Sequence, residues 1–397
     1  MRILLASESF LPYLSGVTVS VDALARGLGA RGHDVLVLAP APASDTRPGS
    51  AGSPGPEPRY TWLPSYQLPR LAPPRYRMAW PAPWTAAVRE AQRFAPDVVH
   101  AHSPFVTGLL ARRLARRADA PLVFTHHTRF ADYGHYLGPL AGPAAALTEA
   151  YLGRFWGACA AVVAPSTDLA VEIAKRMPAA RRNRVHVIPT GVDVATVQSI
   201  PGSDPRPAAG WPADAIVAVS LGRLAPEKSP MTVLDGVAMA AARDPRLRLL
   251  VIGGGPSEAR LRARAAAPDL AGRVAFTGML PRSEALARLR GGDLFVFASR
   301  TETQGLVLAE ALSAGLPAVA VDGPGVGDSV RDGVDGLIVA AMPEPDRAER
   351  VAAAIGELAG DEAQRHRMAG RAATDAGRFS VDRRVGETEG LYRALLV

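Results

Sequence analysis

Two carboxylates and two cations carry the strongest chemical signal in this sequence. In SRTETQGLVLAEALSAGLPAVA, residues 299–320, Glu302 follows the apolar run LFVFAS, a glycine-containing turn comes next, and Glu310 falls inside a helix expected to start near Gly305. Eight positions of helical rise span about 12 Å, enough to set one carboxylate at the hydroxyls of a hexose and the other at a ribose. Carboxylate oxygens suit that task because they accept hydrogen bonds from hydroxyls. Between them, the free backbone N–H groups around Gly305 and Leu306 form a helix N-terminus, which attracts a diphosphate. A second segment, SLGRLAPEKSP at residues 220–230, places Arg223 and Lys228 directly after another apolar run. Arg223 can grip phosphate oxygens as a fork and Lys228 as a point charge. Any one of these residues alone would read as solvated surface. Following strands and opening helices, they read as a site for a nucleotide diphosphate sugar.

No Asp-x-Asp sequence and no clustered His/Cys/Asp spacing accompanies them. The expectation is therefore a site with no metal and no cofactor, in which protein cations do the work a divalent ion does elsewhere. VIGGGP, residues 251–256, lacks both the Walker Lys/Ser and a full G-x-G-x-x-G pattern, which counts against a dinucleotide-dependent dehydrogenase. Cys159 is the only cysteine, so no intrachain disulfide forms, and it reads as a small buried residue.

The first half supplies different material. SESFLPYLSGVTVS puts Ser15 and Gly16 between a strand and a helix carrying Asp22, and a glycine there lets the backbone approach a ligand. HAHSPF and FTHHTRFADYGHY bring His100, His102, His126, His127, Tyr133, His135 and Tyr136, so five of the eight histidines fall between residues 100 and 135. Their spacing lacks H-E-x-x-H and does not suggest zinc. It suggests a hydrogen-bonding surface with aromatic walls, with His102, Tyr133 and Tyr136 as candidate acceptor contacts.

The elements that must position these residues are legible as apolar runs. RILLAS, DVLVLAP, DVVHAH, PLVFTHHT, AVVAPS and RVHVIPTG occupy the first half, and AIVAVSLGR, LRLLVIGGG, RVAFTGML, LFVFAS, PAVAVDG and GLIV the second. Continuous runs of Val, Ile and Leu mark strands buried on both faces, hence parallel sheets covered by helices. At 397 residues the chain exceeds what one core comfortably fills, and each half reads as a doubly wound α/β unit. The Pro/Gly-rich stretch 200–214 is the expected linker, giving a first domain at 1–200 and a second at 201–378. Residues 379–397 read as a terminal helix. The stretch 41–58 reads as a surface loop. In open α/β sheets, ligands bind beyond the carboxyl ends of the strands, and the candidate residues follow strands throughout.

Hydrophobic residues make up 48% and charged residues 21%, an ordinary globular balance. No apolar run reaches the roughly 20 residues that span a bilayer, and MRILLASESF reads as a first strand rather than a secretory signal. The expected location is the cytoplasm. The formal charge of +7 is uneven: residues 1–200 hold 21 Lys/Arg against 13 Asp/Glu, and the remainder 24 against 25. That asymmetry suggests an anionic surface as partner, with an ordinary arginine-rich surface as its competitor.

Taken together, the motifs resemble the retaining GT-B glycosyltransferases of family 4, whose members carry two glutamates separated by seven residues. The resemblance implies two Rossmann-like domains facing each other across a cleft. It maps the contact with the transferred sugar to Glu302, the ribose contact to Glu310 and the diphosphate pair to Arg223 and Lys228, with backbone near Gly16 and Leu306 also approaching the donor. The family's cleft histidine, near the sugar's O6 and reacting centre, falls on His127 rather than His126, because the pattern places a threonine, here Thr128, directly after it. The segments SFLPYLSGVTVSV, HAHSPFVTGLLARRLA, HHTRFADYGHYL and APSTDLA resemble the bacterial diacylglycerol glycosyltransferase branch, with lipid-directed mannosyltransferases close behind. The resemblance then implies a nucleotide-sugar donor, a lipid acceptor, and peripheral attachment to the inner face of the membrane, with no nucleic acid as partner. ARRLARRADA at 111–120 and the Arg-, Trp- and Tyr-bearing stretch 68–84 are suited to an anionic bilayer surface. A soluble acceptor, and a noncatalytic nucleotide-sugar binding module, are the rival readings.

Overall fold

The computed structural model describes residues 1–13, 15–43, 57–67, 76–80, 82, 84–129 and 141–397, with the side chains of 141–144 left aside. The chain forms two compact units, Met1–Gly191 with Val381–Val397, and Val192–Ser380.

The first unit is built on strands β1 (Arg2–Ala6), β2 (Asp34–Pro40), β3 (Arg59–Leu63), β6 (Val98–Ala101), β7 (Leu122–Thr125), β8 (Ala161–Ala164) and β9 (Val185–Val187). β4 (Ser65–Tyr66) and β5 (Met78–Ala79) pair as a separate two-stranded antiparallel ribbon, whose Ala79 is buried in the core beside Leu36, Leu38 and Leu63. The order across the sheet is β3-β2-β1-β6-β7-β8-β9 and every pairing is parallel, with Leu4 opposite Leu36 on one side and Val99 on the other. Successive side chains of a strand point to opposite faces. Leu4 and Ala6 accordingly join one core with Leu36, Phe124 and Trp156, while Ile3 and Leu5 join another with Val21, Leu28 and Tyr392. Being wanted on both faces is why β1 contains no polar residue beyond Arg2.

The second unit repeats the scheme with β10 (Ile216–Leu221), β11 (Leu247–Ile252), β12 (Val274–Gly278), β13 (Leu294–Phe297), β14 (Ala318–Val321) and β15 (Gly336–Val339), ordered β12-β11-β10-β13-β14-β15 and again all parallel. In both sheets the strand order reverses beside the first strand of the unit, between β1 and β6 and between β10 and β13. That reversal opens a crevice beyond the carboxyl ends of the two strands, and it is where the candidate residues gather.

The expected domain limits differ from the observed ones. The units part at 191/192 and 380/381, not at 200/201 and 378/379. The stretch 200–214 is packed into the second unit: it holds the short helix Arg206–Ala209, and Trp211 is 8% exposed with Nε1 donating to the Gly272 carbonyl at 3.0 Å. Proline and glycine density marks turns, whereas a buried tryptophan decides that this stretch belongs to a core. The terminal helix Val381–Leu395 lies in the first unit, against the helix Gly16–Ala30, and buries Val385 and Tyr392. Cys159 is buried, and burial pushes its thiol up to about 12. Most of the loop 41–58 lies outside the described residues.

Candidate functional site

The second unit's site is assembled from the ends of β10, β11 and β13. After β10 the chain runs through Gly222 and Arg223 into a 3-10 turn, Pro226–Lys228, closed by Ser229 in the left-handed conformation at φ 48°. This loop lies close against the glycines that follow β11. A Cβ on Gly253 would stand 2.0 Å from the Gly222 carbonyl oxygen, and one on Gly255 would stand 2.4 Å from that of Leu224. Leu224 N–H donates to the Gly254 carbonyl and Ser257 N–H to that of Leu224. The glycine run of VIGGGP therefore brings two strand-end loops into backbone contact and fixes the loop that carries Arg223 and Lys228.

Lys228 Nζ donates to Glu302 Oε1 at 2.6 Å, joining the β10 loop to the β13 loop. Both side chains are about one-quarter to one-fifth exposed, so the pair is reachable from solvent. Arg223 is more open, with Nη1 3.9 Å from Glu227 Oε1, and the hydroxyl of Thr301 donates to the Glu227 carbonyl. Gly305 caps the helix Leu306–Ser313 at φ 72°, a conformation that favours glycine, and this places the first N–H groups of the helix three to four residues beyond Glu302. Glu310, one turn into the helix, is buried. Burial raises its carboxyl above the ordinary range, opposed by the guanidinium of Arg282, whose Nη2 lies 2.6 Å from Oε1 in an ion pair.

In the first unit, Gly16 opens the helix Gly16–Ala30, with Ser15 as N-cap accepting from Thr18 N–H. No atom lies within 4 Å of a Cβ built on Gly16, so nothing in the protein's own packing requires a glycine there, and space remains for a ligand. The histidines separate into two settings. His126 is buried edge-on against Phe124 and Trp156. His127 is partly exposed and its Nε2 is 2.9 Å from His102 Nδ1. His100 lies beneath, with Nδ1 2.5 Å from the Tyr392 hydroxyl and Nε2 2.7 Å from Thr125 Oγ1. Burial depresses all four imidazoles: His100 and His126 to about 3, His127 to about 4, and His102 well below its ordinary value. Tyr133 and Tyr136, two of the candidate acceptor contacts, lie outside the described residues, as does His135.

These histidines make a prediction about acid stability. A histidine held neutral in the native state contributes stability that is present above its unfolded value, near 6.5, and is lost as pH falls toward the depressed one. The urea midpoint of the first unit, followed by tryptophan fluorescence, is expected to drop between pH 7 and pH 5, before most carboxylates titrate. A midpoint constant over that range would contradict the depressed values.

Sequence reasoning passed over two residues that the structure places at the crevices. Glu8, two residues beyond β1, is buried; it accepts from the Ser103 hydroxyl at 2.7 Å and faces the backbone N–H groups of Val106 and Thr107, with burial raising its carboxyl overall. Its signal was a carboxylate closely following an apolar strand, the same signal used for Glu302. Arg282 had no such signal, since an arginine at a helix start is common in this arginine-rich chain.

The sequence matches two family descriptions in succession, "Glycosyltransferase Family 4" over residues 14–196 and "Glycosyl transferases group 1" over residues 204–375. A GDP-mannose-dependent alpha-mannosyltransferase of Mycobacterium tuberculosis is 30% identical over 374 residues, covering 94% of this chain and 91% of that protein. The chain belongs to glycosyltransferase family 4. An alpha-monoglucosyldiacylglycerol synthase of Acholeplasma laidlawii is 28% identical over 347 residues, 85% of this chain and 84% of the relative. Among solved structures, Anabaena Alr3699/HepE in complex with UDP superposes with a TM-score of 0.73 at 18% identity, covering 99% of this chain and all of that one, a likeness of fold. The fold is thus GT-B, and the protein is an enzyme, a glycosyltransferase that uses a nucleotide sugar.

Proposed function

We propose that this glycosyltransferase transfers a hexose, with retention and without a metal ion, from UDP-glucose or UDP-galactose to a lipid acceptor such as diacylglycerol at the inner membrane face. The Lys228–Glu302 pair beside Arg223 at the strand reversal of the second sheet carries the reading. Two cations stand where a leaving diphosphate gathers charge, and a carboxylate stands next to them for the sugar hydroxyls. In this mechanism the glycosidic bond to the diphosphate breaks as Arg223 and Lys228 stabilise the departing oxygen. The acceptor hydroxyl attacks from the same face and gives its proton to that phosphate oxygen. Glu302 orients the sugar and Glu310 holds the ribose.

The lipid acceptor draws support from the Acholeplasma relative and from the surface of the first unit. Trp80 and Trp84 are exposed, as are Arg113, Arg116 and Arg117 on the helix Val106–Ala118. Aromatic and basic side chains of this kind suit an anionic interface. Among the described residues no helix is long and apolar enough to cross a membrane. The mycobacterial relative favours GDP-mannose as the alternative donor.

Nucleotide diphosphate release decides between these, measured in EDTA with UDP-glucose, UDP-galactose and GDP-mannose separately, with and without diacylglycerol liposomes. Release from a UDP-hexose that requires the liposomes is the expected result. Release from GDP-mannose alone would replace the donor, release unaffected by lipid would replace the acceptor, and loss of release in EDTA would restore a metal to the mechanism.

A further inference from the structure

His102 was a candidate for the acceptor side of the site, yet its ring is 5% exposed and its Nδ1 is directed at His127. We infer that His102 is a positioning residue that fixes the tautomer of His127, so that His127 serves the reaction as a hydrogen-bond donor through Nδ1 and not as a base. The inference rests on the assignment of His127 to the sugar side of the reaction, and it concerns which of its nitrogens is free to act.

A neutral imidazole has one N–H and one acceptor nitrogen, and burial keeps these rings neutral. The 2.9 Å contact between His102 Nδ1 and His127 Nε2 therefore has one proton, carried by one ring or the other. His102 Nε2 is buried and has no hydrogen-bond partner among the described residues. If the proton of His102 were on Nε2, a buried N–H would be orphaned, which is the rarer and costlier arrangement; an unused acceptor is tolerated more readily. The proton of His102 thus belongs on Nδ1, donating to His127 Nε2. The proton of His127 is then left to Nδ1, and its only acceptor nitrogen is already occupied.

The ring of His102 is held in place from behind. His100 packs on it with centroids 4.1 Å apart, and His100 is itself pinned between the Tyr392 hydroxyl and Thr125. His127 meets the edge of His102 nearly in plane, with centroids 5.2 Å and planes 26° apart, the arrangement the nitrogen–nitrogen contact requires. Three rings in sequence, anchored by a tyrosine of the terminal helix, leave His102 little freedom to turn its Nδ1 elsewhere. A hydroxyl oxygen of the donor sugar is the kind of group that a partly exposed imidazole N–H recognises.

Long-range proton–nitrogen spectra of the full chain labelled with ¹⁵N-histidine test this, with the His127 signals assigned by their loss in His127→Ala. The expected wild-type pattern is an Nδ1–H tautomer for His127. His102→Asn, whose side-chain N–H stands where Nδ1 stood, should keep that pattern and most of the transfer activity. His102→Gln, which places its N–H at the Nε2 position, and His102→Phe should redistribute the proton of His127 and lower transfer by about 10–100-fold. An Nε2–H tautomer in the wild type, or an unchanged His127 pattern in both the Gln and Phe variants, would overturn the inference. The Asn–Gln contrast stands if the Phe variant does not fold. Undiminished transfer by His127→Ala would instead remove the role of His127 beneath it, a separate failure.

Discussion

Lys228→Ala and Glu302→Ala are each expected to lower kcat/KM for sugar transfer by roughly 10²–10³-fold, while circular dichroism and the thermal unfolding midpoint stay close to wild type. The separation of activity from stability follows from where the pair sits. Both side chains are partly exposed on strand-end loops outside the hydrophobic clusters, and a pair that open contributes about 1 kcal/mol or less to folding. Its value lies in what replaces it. With no donor bound, the ammonium and the carboxylate satisfy each other at 2.6 Å. In the proposed reaction a nucleotide sugar would offer each a better-matched partner, the diphosphate for Lys228 and hydroxyls for Glu302. Charge on the diphosphate grows as the glycosidic bond breaks, so loss of Lys228 should appear mainly in kcat. Lys228→Arg should not restore it, because a planar fork on a longer stem cannot occupy the place of a compact point charge. Transfer within threefold of wild type in either alanine variant would sink the assignment.

Lys228 also shows how much the sequence disclosed. Of 45 basic residues only Lys175 and Lys228 are lysines, so a lysine at 228 stands against the chain's strong use of arginine, a compositional signal beside the motif itself. All six strands of the second sheet were legible as apolar runs: the central β10, β11, β13 and β14 are largely buried, and the edge strands β12 and β15, though only partly buried, keep enough Val, Ile, Leu and Phe to show. In the first sheet, β3 was not: RYTWL alternates as an edge strand with one face partly open, and a search for continuous runs passes over it. The same physics explains the misplaced domain limit, since composition shows where a chain turns but not what Trp211 packs against. Residue types and strand ends pointed to Arg223, Lys228, Glu302 and Glu310. Pairings did not emerge, because Lys228 with Glu302, 74 residues apart, depends on strand order, and His100 with Tyr392, 292 residues apart, on where the terminal helix packs.

Arg282→Ala is expected to weaken nucleotide binding by about tenfold near neutral pH and to make it more sensitive to acid. Glu310 is 4% exposed, and burial raises its carboxyl while Arg282 works against that rise. In the proposed contact with the ribose, only the ionised carboxylate would offer acceptors alone to the two hydroxyls; once protonated, it presents a donor of its own. Nucleotide affinity should therefore fall as pH drops through the raised value of Glu310, and removal of Arg282 should move that fall to higher pH. The sign for folding is opposite. A carboxyl whose native value is raised contributes stability that is fully present below its ordinary value of 4.5 and is lost as pH rises through the native one, so Arg282→Ala should destabilise the protein most at neutral pH. Calorimetric titration with UDP and with GDP between pH 5 and pH 8 separates these effects. Arg282→Lys should recover part of the affinity, since it returns the charge without the fork, and Glu310→Gln should bind weakly with little dependence on pH. Coincident binding curves for Arg282→Ala and wild type would show that Arg282 does not keep Glu310 ionised, whereas undiminished binding by Glu310→Gln would take the ribose away from Glu310 altogether.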